Sequence, residues 1–358
     1  MSTWFIRLSS AVLLAPVLRP GRAAVRGWSL AAVVANAVII STGAAVRLSS
    51  SGLGCPDWPR CPQSSVVAAH AAGQTTLNTW IEFGNRLLNF PLAAIAGLTF
   101  IACLCYRENG QCYGENLCHR GKGRRRDLMW LSAALPAGVI AQAVVGGIVV
   151  LTRLNPALVA AHFLLSSALI LTAAVVLHVR AGEGSGPARP LVRADLRVMS
   201  GLLVAVTALM LAAGTVVTGT GPLAGTTVDD HGHLSTVPRF RLPLTGVTQF
   251  HADIGWFISA LAVAVAIGLW FAAGAPAAAR RNSLIVAGGV VVQGLIGYLQ
   301  YANHLPAGLV WVHVSGAVVL WIFVLRLYLS TRERIPASAS EPAGPDPAVT
   351  VGSYRAKR

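Results

Sequence analysis

Residues 142–162 read Gln-Ala-Val-Val-Gly-Gly-Ile-Val-Val-Leu-Thr-Arg-Leu-Asn-Pro-Ala-Leu-Val-Ala-Ala-His, and residues 293–313 read Gln-Gly-Leu-Ile-Gly-Tyr-Leu-Gln-Tyr-Ala-Asn-His-Leu-Pro-Ala-Gly-Leu-Val-Trp-Val-His. Gln142 and Gln293 are 151 residues apart, and so are His162 and His313. Each copy is an apolar run, a short polar turn ending at a proline (Pro156 or Pro306), and a second apolar run with a histidine inside it. The one-residue slip between the prolines falls in the turn. A repeat of this length fixes how the rest of the chain is parsed.

Working outward, further apolar stretches lie at 28–46, 77–105, 128–151, 156–179, 198–217, 246–271, 283–302 and 307–329. Each is close to the roughly 20 residues that cross about 30 Å of hydrocarbon as a helix. Of 358 residues, 54% are hydrophobic and 11% charged, against roughly 25% charged in a soluble domain. The expected fold class is therefore all-α integral membrane, with eight transmembrane helices and abundant small residues for close helix packing.

The formal charge of +15 raises the question of a nucleic-acid partner, and the positions of the basic residues answer it. With both termini on the cytoplasmic side, 22 of the 28 Lys and Arg fall in inner segments, while Arg47, Arg60, Arg153, Arg239 and Arg241 are outer and Arg86 lies within a helix. That is the positive-inside bias of a multi-pass protein in a bacterial cell membrane. The partner of this charge is membrane lipid, not nucleic acid. Before the first helix, the apolar run at 11–18 is short and broken by Pro16, so no cleaved signal peptide is expected.

The first and fifth helices also correspond, ending in Thr42-Gly43-Ala-Ala-Val-Arg47 and Gly214-Thr-Val-Val-Thr-Gly-Thr-Gly221, each before a long outer loop. The chain thus divides into a cytoplasmic segment 1–27, a four-helix half 28–190, a second half 191–330 and a disordered tail 331–358. Four helices separate the copies, so both enter the membrane in the same sense, as two bundles related by a pseudo-twofold axis along the membrane normal.

His162, His251 and His313 lie on the fourth, sixth and eighth helices, roughly 8–9 Å below the outer boundary at 1.5 Å per residue. Asn85 holds the matching place on the second. An ionisable residue inside the membrane is a functional hypothesis by default; the plainer alternative is an interhelical hydrogen bond. Two imidazoles at matched depth on alternate helices of one bundle suit the two axial positions of a haem iron, which assigns His251 and His313 as ligands of one haem. Glu82 precedes Asn85 by three residues and Arg86 by four, so the three share a helix face. Glu82 pairs with Arg86 in one reading; in the other it faces a cavity beside His162, where a carboxylate could move protons or stabilise developing positive charge.

Cys55 and Cys61 flank Pro56-Asp-Trp-Pro-Arg60 in the first outer loop, on the oxidising side where a disulfide is permitted; a redox-active thiol pair is the alternative. Cys103, Cys105, Cys112 and Cys118, beside His119, read as reduced thiols in preference to a zinc site. His70, His231, His233 and His304 belong to outer loops, and His178 to the inner end of the fourth helix.

The segment Gly43-Ala-Ala-Val-Arg47-Leu-Ser-Ser-Ser-Gly52-Leu-Gly-Cys55-Pro-Asp-Trp-Pro59, the run Gln142 to Gly147 with His162, Thr218-Gly-Thr-Gly-Pro222, and Gln293 through Tyr301 to His313 resemble, in kind and order, the motifs of haem A synthases over about residues 28–330. That resemblance implies oxidation of a methyl group of haem O to the formyl group of haem A for terminal oxidase biogenesis. It implies a haem b cofactor on His251 and His313, and a haem O substrate site in the amino-terminal half involving His162, Asn85 and Arg86. It makes Glu82 the catalytic carboxylate and Cys55–Cys61 the outer-loop pair. A haem O synthase (a farnesyltransferase) and oxidase assembly factors become the expected partners, and a homo-oligomer is compatible with it. In one respect the chain departs from the family pattern, which has Glu, then His three residues later, then Arg. Asn85 replaces that His, and an amide is a poor haem ligand, so His162 is the sole intramembrane His ligand left in that half.

Rival readings are a transmembrane haem b electron-transfer protein, which would place haems near both faces, a quinone-linked thiol–disulfide oxidoreductase, which leaves the histidines unexplained, and a transporter, supported only by the repeat.

Overall fold

The computed structural model describes residues 17–55, 57–59, 76–107, 124–228 and 234–335. Eight helices in it are long and apolar enough to span a bilayer: α1 Arg22–Leu48, α2 Thr76–Cys105, α3 Arg126–Leu151, α4 Pro156–Ala181, α5 Ala194–Thr220, α6 Leu244–Phe271, α7 Ala277–Ala302 and α8 Ala307–Leu329. The protein is a multi-pass membrane protein. Large apolar side chains such as Phe90 (72% exposed), Trp130 (71%), Val198 (70%) and Phe271 (81%) point outward, which is tolerable only where lipid, not water, surrounds the bundle.

Prolines set several helix starts. Pro156 opens α4 behind Asn155, whose side chain accepts from the Ala157 N–H at 3.1 Å; Pro243, Pro276 and Pro306 precede α6, α7 and α8. A missing N–H costs nothing there, because the first-turn donors have no intrahelical acceptor. Inside α2, Pro91 acts differently: it cannot donate to the Leu87 carbonyl and its ring crowds that group. The span accordingly breaks at Leu88 into Thr76–Leu87 and Asn89–Cys105.

The repeat extends to backbone geometry. Arg153 and Leu154 (φ 54° and 59°) link α3 to α4, while His304 and Leu305 (φ 61° and 61°) link α7 to α8. In the first turn Arg153 and Leu154 donate to the Val150 and Val149 carbonyls, and in the second His304 and Leu305 donate to those of Tyr301 and Gln300. Every donor and acceptor is displaced by the same 151 positions.

Within the first half, α1 packs on α2, α2 on α3, and α3 and α1 on α4; within the second, α5 packs on α6, α6 on α7, and α7 and α5 on α8. The halves meet through α1 with α8, α4 with α5, and α4 with α8. One buried cluster joins Val33, Leu135 and Leu171 of the first half to Val318 and Trp321 of α8, and a second is built from α5 to α8 around Leu203, Val265 and Val286. A small cluster of Leu53, Val149, Leu154, Ala224 and Val237 ties together the segments that follow α1, α3 and α5.

Two features depart from an all-helical expectation. The segment after α5 forms a hairpin, β2 (Thr226–Val228) with β3 (Leu234–Thr236); at the opposite end of the bundle β1 (Ala188–Pro190) pairs antiparallel with β4 (Arg332–Arg334). The ordered chain therefore runs past residue 330, joining the inter-half linker to the segment after α8. Within α4, Leu165–Leu171 is a π-helix.

Candidate functional site

His251 is seven residues into α6 and His313 six residues into α8, counted from Leu244 and Ala307. Their ring centroids are 6.4 Å apart with planes at 67°. A metal held by imidazole sits about 2.0–2.1 Å from nitrogen, and with roughly 1.2 Å more to each ring centre, two axial imidazoles on one metal have centroids about 6.4–6.6 Å apart. The observed spacing fits that requirement. His251 Nδ1 and His313 Nδ1 are both buried without a hydrogen-bond partner. With Nδ1 packed away on both rings, Nε2 is the nitrogen left for a ligand.

Each imidazole rests on a glycine of the preceding helix. A Cβ built on Gly214 of α5 would lie 3.3 Å from His251 Cε1, and one on Gly297 of α7 would lie 3.6 Å from His313 Cε1. In the first half Gly146 of α3 holds the same relation to His162, at 3.2 Å from Cε1. Glycine permits the close approach of each ring to the neighbouring helix backbone. The fourth seat is empty: nothing lies within 4 Å of a Cβ on Gly43, where the corresponding side chain is the shorter Asn85, whose Oδ1 is buried and unpartnered.

His162 is further fixed from behind. Gln142 Nε2 donates to the His162 carbonyl at 3.1 Å and to Ser166 Oγ at 2.6 Å, while Ser166 Oγ also donates to the His162 carbonyl at 3.0 Å. These bonds lie at the entry of the π segment, where the regular ladder changes pitch and the His162 carbonyl also accepts from the Leu165 N–H. From the other half, Trp321 Nε1 donates to the Ser167 carbonyl at 3.0 Å. The repeat partner Gln293 instead lies over Gly316 of a regular α8, where any Cβ would overlap its amide.

Glu82 is 5% exposed, and its carboxylate grips the first outer loop. Oε2 accepts from the Cys55 N–H at 2.8 Å, and Oε1 accepts from Arg86 Nη2 at 2.6 Å. Arg86 also donates to the Cys55 carbonyl at 2.8 Å and the Asp57 carbonyl at 3.1 Å. The Glu82–Arg86 ion pair thus forms, and it clamps the loop backbone besides neutralising two charges. Gly54 lets that backbone lie against α2, since a Cβ there would be 2.7 Å from the Asn78 carbonyl oxygen. The Trp58 ring covers Gly147, where a Cβ would lie 2.5 Å from Cδ2. Adjacent glycines on α3 therefore seat the His162 imidazole and the loop indole.

The glycine seats, the Gln142–Ser166 bonds and Trp58 were not assigned from sequence. The Gly146-Gly147 doublet and its repeat partner Gly297 were the available signal. Arg47 was likewise unassigned; it crosses between the halves, donating to the Ala224 and Thr218 carbonyls at 3.3 and 3.4 Å.

Other expectations fall elsewhere. Cys55 is fully buried, while Cys61 lies outside the described residues. Cys103 and Cys105 are free thiols; Cys112, Cys118 and His119 lie outside the described residues, as do His70, His231 and His233. Among the described residues no three His, Cys, Asp or Glu converge to hold a metal ion. His178 contacts Ser29 Oγ at 3.2 Å and the Arg26 carbonyl at 3.3 Å, away from the matched histidines.

The profile of the COX15-CtaA family, described as cytochrome oxidase assembly protein, matches residues 26–325. The chain is similar to the heme A synthase of Methylorubrum extorquens (strain PA1), 29% identical over 348 aligned residues that cover 84% of this chain and 86% of that protein. It is 28% identical over 144 residues to the heme A synthase of Lysinibacillus sphaericus (strain C3-41), and 29% over 131 residues to that of Geobacillus thermodenitrificans. These two alignments cover 40% and 36% of this chain but only 41% and 34% of the relatives' own length.

Proposed function

This chain belongs to the COX15-CtaA family of cytochrome oxidase assembly proteins, and from that premise we propose that it is a haem A synthase, oxidising a methyl group of haem O to the formyl group of haem A. The observation that carries this reading beyond family membership is the 6.4 Å separation of the His251 and His313 rings, the span that two axial ligands of one haem iron need. A haem b there would supply one-electron redox chemistry. The residues present would hold it: two neutral imidazoles, each steadied by a glycine seat and by burial of its Nδ1.

The amino-terminal half would take the substrate. His162 is the imidazole available to the haem O iron, and Asn85 leaves the opposite side without a strong ligand. Glu82 and Arg86 sit together on α2 and keep the loop carrying Cys55 closed over that half. A carboxylate beside the reacting carbon would accept a proton as the methyl group is oxidised. A Cys55–Cys61 disulfide would fix the same loop covalently; the burial of Cys55 and the grip of Glu82 on its N–H support that pairing. The residue-by-residue repeat of the α3–α4 turn in the α7–α8 turn, and the exchange of α1–α8 contacts for α4–α5 contacts, support two halves related by a pseudo-twofold axis, and the clustering of Lys and Arg on one face supports cytoplasmic termini.

Chromatography of pigments extracted from the purified protein tests the function. Haem O and haem A alongside haem b are expected, and haem b alone would refute the reading. His251→Ala and His313→Ala should each strip haem b. Two variants with unaltered haem b spectra would remove that assignment while leaving the activity open.

A further inference from the structure

At the end of the bundle away from the histidines, a cavity of about 300 Å³ lies between α3, α4, α8 and β4. That is an order of magnitude above the roughly 30 Å³ share of one water. Its charged lining is Asp127, Arg180, Glu183, Arg332 and Arg334, with Leu329 among its apolar residues. Behind it lies Arg125, only 3% exposed.

The carboxylates here are already engaged. Asp127 accepts from Arg125 Nε and Nη2, both at 2.9 Å, and from Arg180 Nη2. Glu183 accepts from Arg180 Nη1 at 2.7 Å. Arg332 and Arg334, two apart on β4, share a face of the strand. Arg332 lies 4.8 Å from the centre of the Tyr328 ring, and Arg334 reaches only the Gly186 carbonyl, at 3.4 Å. The one acid between them in sequence, Glu333, pairs with Arg189 on β1 at 2.6 Å. Four guanidinium groups therefore meet two carboxylates around one cavity, leaving two positive charges unmatched by any carboxylate among the described residues. The ends of α3, α4 and α8 put the cavity at the arginine-rich membrane face, where phospholipid headgroups lie.

We infer that this cavity binds a phosphate-bearing anion through Arg332 and Arg334, with Arg180 held at its wall by Asp127 and Glu183. A guanidinium pair matches phosphate oxygens in charge and in hydrogen-bonding geometry, and basic pockets between helices at this depth recognise anionic headgroups.

The test uses the full-length protein in neutral detergent. Phosphatidylglycerol, phosphatidylcholine and inorganic phosphate are added separately; native mass spectrometry reads retained lipid, and thermal unfolding reads the phosphate. Preferential retention of one phosphatidylglycerol, weakened roughly thirtyfold by Arg332→Gln/Arg334→Gln, is the result expected for a headgroup, since each arginine near the membrane surface contributes a factor of about five. Stabilisation by inorganic phosphate that displaces phosphatidylglycerol, and that the same double variant loses, would assign the site to a soluble anion of the same chemistry. Arg334→Gln alone keeps the Arg332–Tyr328 contact and should lose about fivefold, so a double variant that failed to fold would still leave a measurement. Arg241→Gln/Arg281→Gln removes equal charge at residues outside the cavity lining and should bind as the parent does. Equal losses in that control, or none in the β4 variants, would overturn the proposal.

Discussion

The glycine seats make a graded prediction. Carbon atoms settle at about 3.5–4.0 Å, so an alanine at Gly297, with its Cβ 3.6 Å from His313 Cε1, fits without movement. At Gly214 the Cβ would be 3.3 Å from His251 Cε1 and 3.8 Å from Nδ1, so the ring must retreat by about 0.2–0.7 Å to reach ordinary contact. A bound group tolerates displacement of roughly 0.5 Å, which places Gly214→Ala at the edge. Taking the low end of overpacking, about 1 kcal/mol, haem b retention should fall about fivefold, and Gly214→Val should abolish it. Helix stability moves the other way, because alanine in a helix is favoured over glycine by about 0.5–1 kcal/mol. Lost haem in an undamaged protein is thus the signature. The assay is the haem b to protein ratio of purified variants, from reduced-minus-oxidised spectra. Gly146→Ala crowds His162 at 3.2 Å and should leave haem b in place while altering the substrate haem. If Gly297→Ala lost more haem b than Gly214→Ala, or Gly146→Ala lost as much, the seats would not position the ligands.

Glu82→Ala should abolish haem A formation while haem b stays bound; it also removes the carboxylate that accepts from the Cys55 N–H and pairs with Arg86, costing about 1–3 kcal/mol, so haem A production at the parent rate would remove Glu82 from the chemistry. Asn85→His should fill the empty seat on Gly43 and turn the substrate haem six-coordinate and low-spin, whereas an unchanged spectrum would show that position 85 does not face the iron. Reporter fusions at Arg124 and Arg193 should report the cytoplasm and those at Trp58 and Asp229 the outside, and an outer Arg124 would invert the assignment of faces.

The eight spans were legible because apolar length alone identifies them, and the prolines at 156 and 306 marked their starts. Helix interiors were less legible. A segment apolar all round carries no periodic signal for which face is buried, so neither the break at Leu88 nor the π segment after His162 stood out, although Pro91 was a visible cause of the first. Sequence spacing paired Glu82 with Arg86, yet not with the Cys55 backbone, because a carboxylate that receives a main-chain N–H from a loop leaves no pattern in residue types. Matched depth on alternate helices singled out His251 and His313, whose rings lie 6.4 Å apart. The close approach that steadies them rests on single glycines, which in a chain with 36 of them do not announce themselves.

The π segment of α4 has a consequence for how the protein is made. The Ser167 carbonyl within it accepts from Trp321, which lies on α8 and is synthesised well after α4. Until α8 is inserted, the π segment and the adjoining Thr172 lack their bonds to the indole N–H, and α4 is free to adopt a different local winding. The amino-terminal bundle therefore acquires its final form after the carboxy-terminal one has been synthesised, and a chain truncated before Trp321 would hold His162 on a helix with another pitch.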